Sequence, residues 1–208
     1  MAIGNIGLRL QGNADHYKSK DDFEARGGAK WKLIMQLLLA ILKNDDGPFP
    51  EQKEDGTIHF PEVERNLSAS SKVVIYVEFT KPVPSFLEVL SFFGVEALEC
   101  TGAMSVSARN KALKQFADDK YSRVLVLSSV GSAGLNLHFA QHLIFADMVW
   151  SGQVQQQIIG RIHRQPNEKQ VYVWFPIVID TTDELLDVYA STKEKLLTKF
   201  FGEAHAII

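Results

Sequence analysis

The sequence predicts an α/β fold in which helices cover both faces of a parallel sheet. Apolar runs alternate with helical patterns through the middle of the chain, and the runs are nearly continuous in apolar residues. Strands buried on both faces have this composition, as in parallel sheets that lie between helices. The chain has 208 residues, of which 46% are hydrophobic, and this is enough for one domain with a substantial core.

The N-terminal third lacks this alternation. Residues 1–29 contain scattered glycines and have no steady period, which predicts an irregular arm. Residues 30–43 have leucines and an isoleucine at helical spacing, so they predict a helix that docks on the core. Residues 44–71 contain three prolines and many acidic residues, which indicate a peripheral loop or a partly disordered insertion.

From residue 72 onward the predicted elements follow one another closely. Strands are predicted at 72–79, 95–100, 123–129, 142–146 and 170–175. Helices are predicted at 85–94 and 105–116, around the pair Arg161 and Arg164, and at 182–201. Ser105 is a predicted helix N-cap, and Thr181 with Glu184 has the spacing of a capping box at the start of the last helix.

Composition restricts the class of protein. The net charge is −3 and the pI is about 6.1, which excludes a uniformly basic nucleic-acid coat and leaves room for a local basic site. Cys100 is the only cysteine, so the chain forms no internal disulfide and no cysteine-rich zinc site. No apolar run approaches the roughly 18 residues that span a bilayer. The first residues do not resemble a signal peptide, so we expect a soluble intracellular protein.

The turn after the strand at 123–129 is one candidate site. Ligands of open parallel sheets bind beyond the carboxyl ends of the strands, and the segment "SSVGSAGLNLHFA" at 128–140 occupies that place. Its glycines, Gly131 and Gly134, allow a sharp turn whose N–H groups suit phosphate. The same glycines are equally typical of a purely structural turn, so this segment alone leaves both interpretations open.

The helix that carries the two arginines is the other candidate. Gln157, Arg161 and Arg164 are spaced i, i+4 and i+7 and are predicted to share one stripe. Val154, Ile158 and Ile162 form a neighbouring apolar stripe that would pack on the sheet, and Gly160 leaves space beside the arginines. The planar, permanently charged guanidinium matches phosphate oxygens. A solvated basic face is the alternative interpretation.

Taken together, the two candidates resemble a known family. Their order and spacing are similar to the second RecA-like lobe of superfamily 2 helicase-like ATPases, and most of all to Swi/Snf-like chromatin-remodelling translocases. Five segments carry the resemblance: "KVVIYVEFT" (72–80), 99–116, the motif V segment 127–151, the motif VI segment 157–174, and the final helix. The resemblance extends over roughly residues 72–200. It departs from the usual pattern at Gly160, where an aspartate is common, and in a motif V loop one residue short.

The sequence patterns and the resemblance together predict four regions, and the resemblance implies a function. The regions are an irregular arm at 1–29, a docking helix with an acidic, proline-containing loop at 30–71, a RecA-like lobe at 72–176, and a brace helix within 177–208. The implied function is that of the C-terminal lobe of a nucleic-acid-dependent ATPase or translocase. Its partners would be an N-terminal RecA-like lobe and double-stranded DNA or another nucleic acid, and its location would be the nucleus.

The resemblance also assigns nucleotide-binding roles to individual residues. Arg161 and Arg164 match the motif VI arginines that reach the triphosphate held by the other lobe, and Arg164 is the implied arginine finger. Gln157 matches the leading glutamine of the motif, which helps hold the contact between the lobes. Gly134 and Asn136 match motif V positions near the nucleotide ribose and the lobe interface.

Contacts to nucleic acid are implied at three further residues. Ser128 or Ser129, at the end of one strand, and Thr80, after another, match positions that touch the nucleic-acid backbone. The histidines show no metal-ligand spacing, so no metal site is predicted within the chain.

The residues that would grip ATP and Mg²⁺ are missing from the sequence. The segment "ARGGAKWK" (25–32) has glycines and a lysine, but its spacing differs from that of a P-loop. No predicted strand carries an Asp-Glu pair that could bind Mg²⁺. We therefore expect ATP with Mg²⁺ to be held mainly by a lobe outside this chain, and the chain alone to be inactive. The alternatives are a non-catalytic nucleic-acid or protein-binding module and, third, a nucleotide-binding regulatory domain.

Overall fold

The computed structural model describes most of the chain between residues 16 and 183. The described residues are 16–44, 47, 49–53, 58–62, 66, 70–129, 135–149, 151–164, 170–178, 181–183 and 188. Two of the predicted features fall partly or largely outside them: residues 130–134 of the predicted turn at 128–140, and nearly all of the predicted helix at 182–201. Among the described residues, no helix combines the length and the apolar character needed to cross a membrane.

The N-terminal region is more ordered than predicted. Helices α1 (Lys20–Arg26) and α2 (Ala29–Lys43) follow each other, so the prediction of an irregular arm is wrong for α1. The Ser19 side chain caps α1 by accepting the N–H of Asp22. Phe23 is 1% exposed and lies edge-on to the Tyr17 ring, 5.1 Å away between centroids. One buried aromatic ring can anchor a short helix that shows no apolar periodicity.

Two short strands lie in the segment predicted as a loop. β1 (Glu51–Gln52) and β2 (Ile58–His59) pair in antiparallel fashion. Phe49, just before them, lies within 5.5 Å, centroid to centroid, of the rings of His142, Tyr172 and Trp174. The segment is therefore fastened to one edge of the main sheet through an aromatic contact.

The main sheet has five parallel strands, which confirms the predicted α/β fold class. Its elements are β3 (Val73–Val77), α3 (Val83–Phe92), β4 (Ala97–Cys100), α4 (Val106–Asp118), β5 (Val124–Ser128), β6 (His142–Phe145), α5 (Gly152–Ile162) and β7 (Tyr172–Trp174). The spatial order is β4-β5-β3-β6-β7, and every neighbouring pair is parallel. Since β3 lies at the centre, the carboxyl ends of β3, β5 and β6 are adjacent.

Alternate residues of the central strand serve two separate cores. Val73, Ile75 and Val77 face the cluster that includes the buried residues of α1, α2 and α3. Val74 and Tyr76 face the other cluster, which includes residues of α4 and α5. This alternation follows from the two-residue period of a strand, and it explains why the whole of β3 is buried.

A buried lysine fastens the end of α4 to the amino end of β3. The Nζ of Lys72 donates hydrogen bonds to the main-chain oxygens of Phe116, Asp119 at 2.9 Å and Ser122 at 3.5 Å. It also lies 5.1 Å from the centroid of the Phe116 ring. Burial lowers the pKa of Lys72, opposed by the nearby Asp119 and Asp118 carboxylates. Carbonyls at the end of a helix need such donors.

Capping follows the sequence where the structure describes it. The Ser105 side chain accepts the N–H of Ala108 and begins α4, as predicted. The Thr181 hydroxyl accepts the N–H of Asp183 at the start of the predicted final helix, while Glu184, the other member of the predicted capping box, lies outside the described residues. Lys30 of α2 lies 2.9 Å from a carboxylate oxygen of Asp183, and both side chains are mostly buried. This ion pair ties the start of that helix to α2.

Candidate nucleotide and nucleic-acid interface

Helix α5 presents its apolar stripe to the sheet and its polar stripe outward. Ile158 and Ile162 are buried and Val154 packs beside them, as predicted. Gln157 and Gly160 are exposed. Apart from the adjacent residues and the backbone of α5 itself, a Cβ atom added at Gly160 would meet no atom within 4 Å. The outer face of this helix is therefore open at the position next to Arg161.

Arg164 does not belong to this helix, which corrects the predicted three-residue stripe. Helix α5 ends at Ile162, and the N–H of His163 bonds to the oxygen of Ile159 at 2.8 Å. The N–H of Arg164 bonds to the oxygen of Ile162 at 3.0 Å, in a tight turn beyond the helix. The proline at position 166 disfavours helical backbone at the residue before it, so the helix ends early. The Arg164 side chain is exposed beyond the last turn.

Arg161 lies where the two candidate segments meet. Its main-chain oxygen accepts the N–H of Leu137 at 2.9 Å, which joins the end of α5 to the segment after β5. Its side chain is half-buried, and its Nε is buried without a hydrogen-bond partner among the described residues. A buried donor of this kind has a strong requirement for an acceptor.

Of the two motif V residues that are predicted to lie near the nucleotide, the structure describes one. Gly134 lies outside the described residues. Asn136 is exposed, and its Oδ1 lies 3.0 Å from the Nδ1 of His138. It stands one residue before Leu137, the residue that bonds to Arg161, so Asn136 lies near the end of α5 in space although it is distant in sequence.

The three predicted nucleic-acid contacts differ in their exposure. Ser128 is 1% exposed, and its hydroxyl accepts the N–H of Gly102 at 3.1 Å, so it joins β5 to the residue pair after β4. Ser129 is half-buried and its side chain hydrogen-bonds with Tyr76. Thr80 is half-buried, and its main-chain oxygen accepts the N–H of Val83 in the turn into α3. Ser129 and Thr80 are thus the two members that reach the surface.

A carboxylate that sequence reasoning gave no role organises the exit of β3. One oxygen of Asp147, just after β6, accepts the N–H of Glu78 at 2.9 Å and that of Phe79 at 3.2 Å. Beside it, the Tyr76 hydroxyl donates to the Glu78 carboxylate at 2.6 Å. The sequence could have indicated this role, because Asp147 lies two positions after a buried strand, at the edge of a parallel sheet where ligands bind.

Burial shifts the pKa of two groups at this edge, Asp147 and Tyr76. It raises the pKa of Asp147, with a smaller contribution from the Glu78 carboxylate, while the two N–H bonds oppose the shift. Burial and the bond to Glu78 also raise the pKa of the Tyr76 hydroxyl. Within the described part of the chain, no three histidine, cysteine, aspartate or glutamate side chains are grouped as metal ligands would be.

We expect Asp147→Asn to gain stability relative to the wild type as the pH rises. A carboxyl whose folded pKa is raised favours folding most below its unfolded pKa, and this contribution is lost as the pH rises through the folded pKa. Asparagine keeps an oxygen acceptor but has no carboxyl group to ionise, so its stability does not fall in this way as the pH rises. Urea unfolding of both proteins, from below pH 4 to neutral pH, measures the difference. A difference that is constant or shrinks over this range would contradict the raised pKa of Asp147.

Comparison with known proteins identifies the family of the lobe. Residues 59–166, about half of the chain, match the family described as the helicase conserved C-terminal domain. The crystal structure of the C-terminal part of the Fun30 ATPase domain is similar, with a TM-score of 0.55 and 28% identity over 58% of this chain and 39% of that one.

Sequence similarity to curated proteins supports the same family assignment. The chain is 40% identical to the DNA repair protein rad8 of Schizosaccharomyces pombe over 124 residues, which are 58% of this chain and 11% of that protein. It is 28% identical to the helicase-like transcription factor CHR27 of Arabidopsis thaliana over 192 residues, which are 85% of this chain and 18% of that protein. The chain thus spans less than a fifth of the length of either relative. It belongs to the helicase C-terminal domain family and is a RecA-like lobe of the Swi/Snf-like kind.

Proposed function

We propose that this chain is the C-terminal lobe of a nucleic-acid-dependent ATPase that moves along duplex DNA. The hydrogen bond from the N–H of Leu137 to the oxygen of Arg161 carries the proposal, because it brings the motif V and motif VI segments to one place. Arg161 and Arg164 adjoin that junction, and Gln157 and Gly160 form an open face beside them. A second lobe can approach such a face closely.

In this proposal the chain supplies charge to a triphosphate that another lobe holds. Water attacks the γ-phosphorus of ATP, and the products are ADP and inorganic phosphate. Negative charge on the transferred group is stabilised by Arg164 as the arginine finger and by Arg161 beside it, and Gln157 helps hold the contact between the lobes. Gly134 and Asn136 are assigned, by the resemblance, to contacts near the ribose and the lobe interface. The P-loop lobe holds ATP and Mg²⁺, which explains why the isolated chain is expected to be inactive.

Nucleic acid is contacted at the exits of β3 and β5. Thr80 and Ser129 offer hydroxyl groups at these exits, while the buried Ser128 positions the backbone between β4 and β5. Backbone contacts of this kind are strongly salt-dependent and nearly independent of base sequence. The named relatives include a DNA repair protein and a helicase-like transcription factor, which supports a nuclear role on DNA.

The second candidate is a non-catalytic module that binds nucleic acid or protein and is derived from such a lobe. The absence of a P-loop pattern from these 208 residues favours it over any enzyme that acts alone. The two candidates differ in one property: a catalytic lobe changes the rate of ATP hydrolysis by a partner lobe, and a binding module does not.

Reconstitution of ATP hydrolysis tests the proposal. The P-loop lobe of a related Swi/Snf-like protein is assayed for phosphate release alone, with this chain, and with this chain plus duplex DNA. We expect little hydrolysis by either part alone and a DNA-dependent increase when both are present. The chain with Arg161 and Arg164 both replaced by alanine is the matched control. Phosphate release equal with and without the wild-type chain would support the binding module instead.

A further inference from the structure

Asp147 fixes the backbone of the residues that leave β3. It lies after β6 and reaches across to the neighbouring strand, where a single carboxylate oxygen accepts two successive N–H groups, those of Glu78 and Phe79. The N–H of Ala146 bonds to the oxygen of Tyr76 at 2.8 Å and extends the pairing of the strands up to this point. The direction in which β3 ends is therefore set by a side chain of another strand.

The segment that follows has the chemistry of a nucleic-acid contact. Phe79 is 58% exposed, Thr80 is half-buried and Lys81 is exposed. A cation, a hydroxyl and an aromatic face in succession are groups that proteins use on phosphate, sugar and base. Beyond Lys81, the bond from the N–H of Val83 to the oxygen of Thr80 closes the turn into α3. The segment is thus held at both ends and open in the middle.

Burial of a carboxylate is unfavourable, and a neutral side chain could also accept the two bonds. An ionised acceptor makes stronger hydrogen bonds to N–H groups than a neutral one does. Buried charged groups with perturbed titration concentrate at functional edges of proteins. The carboxylate is therefore better explained by a requirement for a fixed segment than by a requirement for stability.

We propose that Asp147 is a positioning residue that holds the segment 79–81 so that Lys81 and Thr80 contact a phosphate of the nucleic-acid backbone. This inference rests on the proposed function, because it assumes that the lobe binds nucleic acid at the exit of β3. It adds to that proposal one further phosphate contact, Lys81, and the residue through which the contact is oriented.

The salt dependence of DNA binding tests the inference on the whole chain. A short fluorescent duplex is titrated with protein at several salt concentrations, and the logarithm of the binding constant is plotted against that of the salt concentration. We expect Lys81→Ala to reduce the magnitude of the slope by about 1, since one phosphate contact is lost. Lys114→Ala, an exposed lysine of α4, is the matched control and should leave the slope unchanged.

Variants of Asp147 distinguish positioning from mere stabilisation. Asp147→Ala should reduce the slope by the same amount as Lys81→Ala, and the double variant should reduce it no further. Asp147→Asn, which keeps an oxygen acceptor but not the charge, should give a slope between those of the wild type and Asp147→Ala. All measurements are made well below the unfolding temperature, where a purely stabilising residue would not alter the slope. If Asp147→Ala does not fold, Asp147→Ser replaces it, because its shorter side chain cannot reach both N–H groups.

The possible outcomes distinguish a failure of this inference from a failure of the proposed function. A wild-type slope for Asp147→Ala alongside a reduced slope for Lys81→Ala would overturn the positioning role and leave the contact. A wild-type slope for Lys81→Ala would overturn the contact itself. Failure of the folded wild-type chain to bind duplex DNA at any salt concentration would contradict the nucleic-acid part of the proposed function, and the inference with it.

Discussion

Replacing Arg164 by alanine is expected to lower DNA-stimulated ATP hydrolysis by a factor on the order of 10³ or more once a P-loop lobe completes the chain. The side chain is exposed beyond the end of α5, where it is free to reach a triphosphate on another lobe. It acts on charge that develops during transfer, so nucleotide binding should change little. Phosphate release and the Kd for a labelled nucleotide, measured on the same preparations, separate the two effects.

Two neighbouring substitutions sharpen this prediction. Arg164→Lys retains the charge but lacks the planar fork of donors, so most of the activity should still be lost. His163→Ala changes an exposed neighbour to which no role is assigned, and it should leave hydrolysis near the wild-type rate. Turnover by Arg164→Ala close to that of the wild type would reject its assignment as the finger and leave Arg161 as the candidate.

Lys72→Met is expected to give the largest loss of stability, about 3 kcal/mol in the free energy of unfolding. Methionine has a similar length but no N–H donor. The three main-chain oxygens to which Lys72 donates, two at the end of α4 and one at Ser122 in the connection to β5, would lose this donor within the protein. Relief of the buried charge offsets part of this loss, since burial already lowers the pKa of Lys72. Chemical denaturation at neutral pH measures the difference.

The control for this variant is Lys114→Met, on the exposed side of α4. Its effect should stay within about 0.5 kcal/mol, as for most surface substitutions. If Lys72→Met proved as stable as the wild type, the bonds from Nζ to the end of α4 would not contribute to stability. The loss predicted for Lys72 is independent of the ATPase, so it tests the fold and not the function.

The sheet and its helices were predictable because burial on both faces leaves a clear pattern in a sequence. β3, β5 and β6 are nearly uniform apolar runs, and their parallel pairing follows from the helices between them. The apolar stripe of α5 was equally visible, since Ile158 and Ile162 repeat at helical spacing. Patterns that depend only on burial and period are local properties of the chain.

Features that depend on single long-range contacts were not predictable. Helix α1 is held mainly by Phe23 in an otherwise polar segment, so no period reveals it. Asp147 and Ser128 act through main-chain N–H groups far away in sequence, at Glu78, Phe79 and Gly102. Nothing in the residues around Asp147 or Ser128 indicates which distant N–H group it will meet.

The position of Arg164 shows the limit of spacing as a guide to a site. Helical spacing placed it on one stripe with Gln157 and Arg161, but α5 ends two residues earlier. Pro166 was the warning in the sequence, because a proline restricts the residue before it. The exposed position that results is compatible with the proposed role and differs from the predicted geometry.

The central claim is that this lobe presents Arg161 and Arg164 to a triphosphate held by another lobe. A structure of the chain completed by its P-loop lobe, with duplex DNA and a transition-state analogue of ATP hydrolysis, tests it most directly. We predict that the Arg164 guanidinium lies within about 3 Å of an oxygen of the group that mimics the γ-phosphate. Closed lobes with both guanidiniums turned away from the nucleotide would contradict the claim.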